Sequence, residues 1–318
     1  MGMRWARVDV DGQQELGVAS GDEIRCLGVL CKDRELPDLA RTAVGDGDLA
    51  SWIAADAETH GALGAWLAER LGDLSARPVS SVRFLAPIPH PPKNIICVGR
   101  NYTEHALEAA HFRGQVEAPP AHPVFFTKPW TAIVSPDDDI HYDRGVTSEL
   151  DYEGEVAVVI GQRGRDITVD GAYDYVFGFT LLNDVTARDL QARHSQYYKG
   201  KGLDTFAPFG PLVVTRDELP EPAELILETR VNGELRQRAT LAQLIFDIPE
   251  LIVVLSEAMT LEPGDIISTG TPAGVGMSFT PPKFLTDGDL VEVSSPSIGV
   301  LRNRVSVEHH RQPGLRRG

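Results

Sequence analysis

Ser148-Glu-Leu-Asp-Tyr-Glu-Gly-Glu-Val-Ala-Val-Val-Ile160 is the stretch on which the reading of this chain turns. It opens with four acids and runs into a β-branched apolar segment. Side chains on a strand alternate faces with period two. Glu153 and Glu155 therefore point the same way, and Gly154 between them adds no bulk. Carboxylates held side by side call for a cation, a shared proton or full solvation. The apolar run at 156–160 argues for burial, which disfavours solvation. Glu153 and Glu155 are candidate ligands of a hard divalent metal. The alternative is the wet face of an edge strand.

Downstream, residues 173–182 read as a strand ending at Asn183-Asp184, and 185–193 as a helix. Asp184, at the end of a buried strand, is placed either to serve a site or to cap the helix. Arg188 and Gln191 share a helical face. Residues 196–211 form a Gly- and Pro-rich loop carrying Lys199 and Lys201. A lysine near carboxylates and a metal can neutralise developing anionic charge, and Lys201 lies between two glycines. Residues 266–276 combine glycines with small hydroxyl side chains, a composition that lets N–H groups converge on an anion. No Gly-Lys-Ser/Thr follows, so this is not the lysine-containing phosphate loop. Asn232-Gly233 is a hairpin signal, 241–255 is helix-compatible, and the last strands are short.

Upstream, 95–98 reads as a buried strand. Asn101 followed by Glu104 fits a helix N-cap with a reciprocal acid. In such a helix His105 and Glu108, three apart, face one side, and a carboxylate beside an imidazole fixes its tautomer. The alternative is a surface pair. Residues 111–123 are an irregular loop and a candidate lid, and 124–128 is a strand ending in a basic residue.

At 318 residues the chain holds one large domain plus a small one. Residues 1–86 read as a small α+β domain. Its strands break at Asp11-Gly12 and Gly21-Asp22, and its helical stretch, 48–71, is divided near Gly61 and Gly64. Prolines at 87, 89, 91 and 92 mark an extended linker. Residues 93–308 form the main domain, and 309–318 a polar, frayed, disordered tail. The net charge of −16 and the lack of a basic cluster outside the last few residues argue against nucleic acid and an anionic membrane surface as partners. Without a signal peptide or a membrane-spanning run, the cytoplasm is expected. Cys26, Cys31 and Cys97 suit no zinc site and read as incidental thiols.

Taken in order, Val98-Gly-Arg-Asn-Tyr102, Leu150-Asp-Tyr-Glu-Gly-Glu155, Asn183-Asp-Val-Thr-Ala-Arg-Asp-Leu-Gln191, Gly200-Lys-Gly-Leu-Asp-Thr-Phe206, Val231-Asn-Gly-Glu234, Thr271-Pro-Ala-Gly-Val-Gly276 and Ile298-Gly-Val-Leu-Arg-Asn303 resemble one family. It is the fumarylacetoacetate hydrolase superfamily, in its bacterial acylpyruvate hydrolase and dienedioate isomerase/decarboxylase branch. The resemblance covers about 93–305. It implies an α+β, mostly β protein, with a mixed β-roll in the C-terminal domain and assembly as a homodimer. It implies Mg²⁺ (or Mn²⁺ or Ca²⁺) on Glu153, Glu155 and Asp184. Arg188, Gln191 and Thr271 match substrate-binding positions. Lys201 and a His105–Glu108 pair on a lid helix match catalytic ones. Glu149 and Asp151 match no ligand position and are read as structural.

Two departures stand out. Residues 94–103 contain no acid, which argues against fumarylacetoacetate itself as substrate. Pro296 interrupts a usually regular segment. The expected reaction is hydrolysis of the C3–C4 bond of a 2,4-dioxo acid, an acylpyruvate, to pyruvate and a carboxylic acid. The alternatives are decarboxylation of an oxaloacetate-type or dienedioate substrate, or isomerisation, through the same enolate. A metal-binding scaffold without catalysis is the remaining reading.

Overall fold

The structure is a computed structural model, and it describes residues 2–112, 120–219 and 221–308. In chain order it begins with β1 (Arg4–Val10), β2 (Gln13–Ser20) and β3 (Glu23–Cys26), then α1 (Asp38–Asp46), α2 (Leu49–Glu58) and α3 (Ala62–Arg70). Short β4 (Ala76–Pro78) and β5 (Arg83–Leu85) lead to β6 (Ile95–Gly99), α4 (Thr103–Phe112), β7 (Val124–Lys128), β8 (Ile133–Val134) and β9 (Ile140–Asp143). Next come β10 (Leu150–Asp151), β11 (Gly154–Ile160), β12 (Val176–Asn183), β13 (Thr186–Ala187), α5 (Arg188–Arg193), α6 (Tyr198–Lys201) and β14 (Ala207–Thr215). The chain closes with β15 (Ile226–Val231), β16 (Glu234–Thr240), α7 (Ile248–Ser256), β17 (Ile266–Ser268), β18 (Leu290–Ser295) and β19 (Gly299–Glu308).

The main sheet runs β4-β3-β2-β1-β14-β12-β11-β17-β6-β7, with β5 on β1 and β8 on β14. A second sheet runs β16-β15-β18-β19-β9, and β10 pairs with β13. The protein is thus α+β and mostly β. The first strands join the main sheet where Trp5 pairs with Val213. The proline run is not a free linker, because Ala86 and Ile88 are buried in the same core as Trp5 and Trp52.

Alternation along β11 sorts its two faces. Ala157 and Val159 join the core under α1–α3, where the Trp5 and Trp52 rings pack tilted to one another with centroids 5.3 Å apart. Val156, Val158 and Ile160 join the core shared with α7 and the second sheet. Glu155 has the parity of Ala157, and Gly154 that of Val156. Local chemistry explains the turns. Asp11-Gly12 (φ 53°, 86°) and Asn232-Gly233 (φ 52°, 82°) carry the positive φ that two-residue hairpins need. Asp48 caps α2 through Ser51 N–H, and Gly61 (φ 81°) divides α2 from α3.

Several boundaries differ from the sequence reading. The helix expected over 185–193 begins only at Arg188, because Thr186 and Ala187 pair with Asp151 and Leu150. The strand expected from 173 begins at Val176, after a 3₁₀ segment (Val169–Tyr175). Lys201 ends the short helix α6 rather than lying in a loop. Helix α1 carried no sequence expectation, and β19 is longer than its short reading. Asn101 is no cap. Its amide donates to Phe246 O and Thr269 O and accepts from Phe246 N, at 2.8–3.0 Å. Pro296 lies in the turn between β18 and β19 and interrupts neither. Most of the 111–123 loop and the 309–318 tail lie outside the described residues.

Gly154 must be glycine, because a Cβ there would collide with Thr229 Oγ1 on β15. Gly154→Ala is expected to cost about 1–3 kcal/mol in chemical denaturation, the range for overpacking. Adding Thr229→Ala, which removes the colliding atom, should recover much of that. An unchanged midpoint in the single variant would contradict the close packing.

Candidate active site

The start of β11 and the end of β12 are held side by side. Asp184 N–H donates to Glu153 O at 2.8 Å, and Glu153 N–H to Asn183 Oδ1 at 3.1 Å. Ligand-capable oxygens of Glu153, Glu155 and Asp184 thereby come within 4.8 Å of one another, and all three residues are buried. Three carboxylates in one buried place require compensating charge.

Part of it comes from fixed cations. Lys201 Nζ lies 2.8 Å from Glu153 Oε2, 2.6 Å from Asp184 Oδ2 and 2.9 Å from Thr186 Oγ1. Lys128 Nζ, fully buried at the end of β7, donates to Asp184 Oδ1 at 2.6 Å and Val185 O at 3.0 Å. Arg188 Nη1 is 2.7 Å from Glu153 Oε1 and Nε is 2.9 Å from Asp151 Oδ2. Asp151 also accepts N–H bonds from Gly276 (2.7 Å) and Met277 (3.0 Å). It anchors Arg188, in keeping with its structural reading.

Glu155 is treated differently. Its Oε2 accepts from the Ser268 hydroxyl and from Gly270 N–H at 3.0 Å. Burial pushes its carboxyl well above the usual range, and the charges of Asp184 and Glu153 push it further. Burial also acts to raise Glu153, but Lys201 and Arg188 overcome it and hold that carboxyl low. Burial acts to lower Lys201, yet Asp184 and Glu153 keep it raised. Burial lowers Lys128, with Asp184 opposing. The cluster therefore lacks positive charge at Glu155. A buried, oxygen-only, undercompensated set fits a hard divalent cation such as Mg²⁺, Mn²⁺ or Ca²⁺.

A narrow cleft opens above the cluster. His105, Glu153, Glu155, Arg188, Gln191, Lys201 and Thr271 all line it, as do Arg100 and Tyr197. Asp184 sits beneath, fully buried. Arg188 Nη1 reaches Gln191 Oε1 at 3.3 Å, and Nη2 has no partner among the described residues. The Thr271 hydroxyl is committed to protein: it donates to Gly154 O at 2.9 Å and accepts from Gln237 at 2.8 Å.

Glu108 is the outlier. His105 Nδ1 stands 3.8 Å from Glu108 Oε2, too far for a hydrogen bond, and has no partner among the described residues. Glu108 instead accepts from Gly274 N–H at 3.0 and 3.1 Å, and lines a neighbouring groove with Leu107, Met277 and Phe279. The N–H groups of the 270–277 loop do converge on anions, as its composition promised. The anions are the protein's own: Glu155, Glu108 and Asp151.

The roles of Lys128, Ser268 and Gln237 escaped the sequence reading, and that of Asn101 was read as a cap. Lys128 left one signal, a lysine closing an apolar strand. Gln237, which ties Gly154 N–H (3.0 Å) to Thr271 and to Pro272 O (2.7 Å), left none, because its hairpin is remote in sequence. Cys97 lies below the cluster, where burial, then Asp184 and Glu155, push its thiol up and keep it inert.

Comparisons with known proteins agree with this architecture. The family model described as fumarylacetoacetate (FAA) hydrolase C-terminal matches residues 94–306. Oxaloacetate tautomerase YisK of Bacillus subtilis (strain 168) is 52% identical over 227 residues, 71% of this chain and 74% of that protein. The solved fumarylacetoacetate hydrolase of Exiguobacterium antarcticum is 39% identical, covers 96% of this chain and 100% of its own, and superposes with a TM-score of 0.79. Maleylpyruvate hydrolase of Sphingobium sp. SYK-6 is 31% identical, with the same coverage and a TM-score of 0.76. That enzyme has also been solved with manganese(II) and pyruvate. No described helix is long and apolar enough to cross a membrane.

Two outcomes follow from the charge deficit at Glu155. In metal-free protein the folded state holds a Glu155 proton that the unfolded state releases above the usual carboxylate range. Stability should then fall as pH rises past that range, by roughly 1.4 kcal/mol per pH unit until the folded carboxyl also ionises. Glu155→Gln keeps an acceptor for Ser268 and Gly270, and should flatten the slope. It should also abolish the rise in melting temperature that Mg²⁺ or Mn²⁺ produces in the unaltered protein. A full metal-induced shift in that variant would remove Glu155 from the ligand set.

Proposed function

The chain belongs to the fumarylacetoacetate hydrolase family, and from that premise we propose that it is a divalent-metal-dependent enzyme of small 2-oxo acids. Its main reaction in this reading is keto–enol tautomerisation of an oxaloacetate-type substrate. One observation carries it: two carboxylates of an undercompensated triad line one narrow cleft together with His105, whose Nδ1 has no hydrogen-bond partner among the described residues.

When bound by Glu153, Glu155 and Asp184, the ion supplies a Lewis acid that acidifies the C3–H of a 2-oxo acid. Arg188 offers Nη2, with Gln191 beside it, to the substrate's C1 carboxylate. Lys201 spends its three N–H bonds on Glu153, Asp184 and Thr186, so it acts on the C2 oxygen as a fixed positive charge rather than as a donor. His105 takes the proton from C3 and returns it to the C2 oxygen to give the enol; the reverse path gives the ketone. No water is consumed and no carbon–carbon bond breaks.

Hydrolysis of an acylpyruvate is the second reading. It is favoured by the placement of His105 and Glu108 one turn apart on α4. It would require a water activated by that pair. The 3.8 Å separation, with Glu108 held by Gly274, supports proton transfer by His105 alone more directly. The relatives described above include both a tautomerase and a hydrolase.

Loss of the oxaloacetate enol absorbance with Mg²⁺ or Mn²⁺ tests the proposal, with Glu155→Gln protein as the control for catalysis by free metal. His105→Asn is expected to lower kcat by about 10²–10⁴, and Lys201→Met by about 10² or more. Release of pyruvate from acylpyruvates without acceleration of the tautomer exchange would replace this reading with the hydrolytic one. Silence toward both substrate types would overturn it.

A further inference from the structure

We propose that Gln237 is a positioning residue for the metal centre: it closes a hydrogen-bond circuit around Gly154 that fixes how Glu153 and Glu155 stand relative to each other, and so sets the affinity for the divalent ion. The proposal rests on Glu153, Glu155 and Asp184 as metal ligands, and does not depend on which 2-oxo acid is the substrate.

Gly154 creates the need. Thr229 Oγ1 leaves no room for a Cβ at 154, so only glycine fits between the two glutamates. Glycine also has the freest backbone of any residue. Two ligands of one ion are thus joined through the residue least able to hold them at a fixed separation.

Two peptides link Glu153 to Glu155, and both are held from outside the strand. In the first, Gly154 N–H donates to Gln237 Oε1 at 3.0 Å, and Glu153 O accepts from Asp184 N–H at 2.8 Å. In the second, Gly154 O accepts from the Thr271 hydroxyl at 2.9 Å. Gln237 Nε2 completes the circuit by donating to Thr271 Oγ1 at 2.8 Å and to Pro272 O at 2.7 Å. The direction of each bond is forced. A peptide N–H can only donate and a peptide carbonyl can only accept, so the Gln237 amide has one orientation and the Thr271 proton goes to Gly154 O. A carboxylate at 237 would face Pro272 O with no proton to give. An apolar side chain would leave the buried Gly154 N–H without a partner.

The anchor itself is fixed. Gln237 is buried on β16, directly opposite Thr229 of β15. The strand pair that forbids a side chain at 154 therefore also supplies the amide that stills its backbone. The loop after Thr271 crosses β16 at the same place, where a Cβ on Gly274 would collide with Arg236 O. Thr271 lines the cleft. One glutamine thus joins the second sheet, the strand that bears two ligands and the cleft wall.

The test is the Mn²⁺ affinity of metal-free protein by calorimetry, with a melting temperature for each variant. Gln237→Met keeps the length and removes the bonds. It should weaken Mn²⁺ about ten- to hundredfold, the usual loss when a residue supporting the metal ligands is removed. Leu251→Ala, a core truncation in α7, should lower the melting temperature as much or more and move Mn²⁺ less than about twofold. Thr271→Val should weaken Mn²⁺ as Gln237→Met does, whereas Thr271→Ser, which keeps the hydroxyl, should stay within about threefold of the unaltered protein. Because both residues act in one circuit, Gln237→Met combined with Thr271→Val should lose much less than the product of the single losses. The proposal is overturned if Gln237→Met binds Mn²⁺ within about twofold of the unaltered protein. It is also overturned if Leu251→Ala loses as much affinity, which would make the effect one of general stability. Should Gln237→Met not fold, the Thr271 pair decides: equal affinity in Thr271→Val and Thr271→Ser overturns the circuit. Unaltered protein that binds no Mn²⁺ sinks the metal assignment and this inference together, whereas binding that Gln237→Met leaves intact sinks Gln237 alone.

Discussion

Four carboxylates buried around the start of β11 constrain everything near them. Each is met in a different way. Asp151 has Arg188 and two loop N–H groups. Asp184 has two lysines, and Glu153 has Lys201 and Arg188. Only Glu155 is met by neutral donors, the Ser268 hydroxyl and Gly270 N–H. The missing charge is therefore localised at one carboxylate, which gives a diffusible cation a defined place. Fixed cations hold the other acids in register, so the site is assembled before any ion arrives, and preorganisation of this kind is what electrostatic catalysis requires.

The glycine-rich loop at 270–277 is the second half of that arrangement. Its N–H groups hold Glu155, Glu108 and Asp151. A loop built to bind anions here binds the protein's own, and so couples the main sheet, helix α4 and the base of Arg188. Gln237 extends the coupling to the second sheet through Gly154 and Thr271. Movement of any one of these elements would be felt at the carboxylates.

Much of this was legible in the sequence because it is local. The period-two placement of Glu153 and Glu155, the burial of 156–160, the Asn-Gly hairpin and the division of the 48–71 helix each follow from a few neighbouring residues. The gathering of His105, Arg188, Gln191 and Lys201 on one cleft came through family resemblance rather than spacing. What the sequence hid depends on distant contacts. Asn101 looked like a cap because its partners lie well over a hundred positions away. The helix start at 188 moved because β10 claims Thr186 and Ala187. Lys128 gave only a basic residue at a strand end, and nothing local says that Asp184 waits for it.

The pairing of β1 with β14 has a consequence for anyone dividing this chain. The apolar face formed by Ala157, Val159, Leu182, Phe209 and Val213 is covered by Trp5, Trp52 and their neighbours from the first part. A fragment cut at the proline run would expose that face to water and leave unpaired main-chain groups along β14. Such a surface recruits other chains. The N-terminal part therefore acts as a built-in guard against self-association of the sheet, whatever else it contributes.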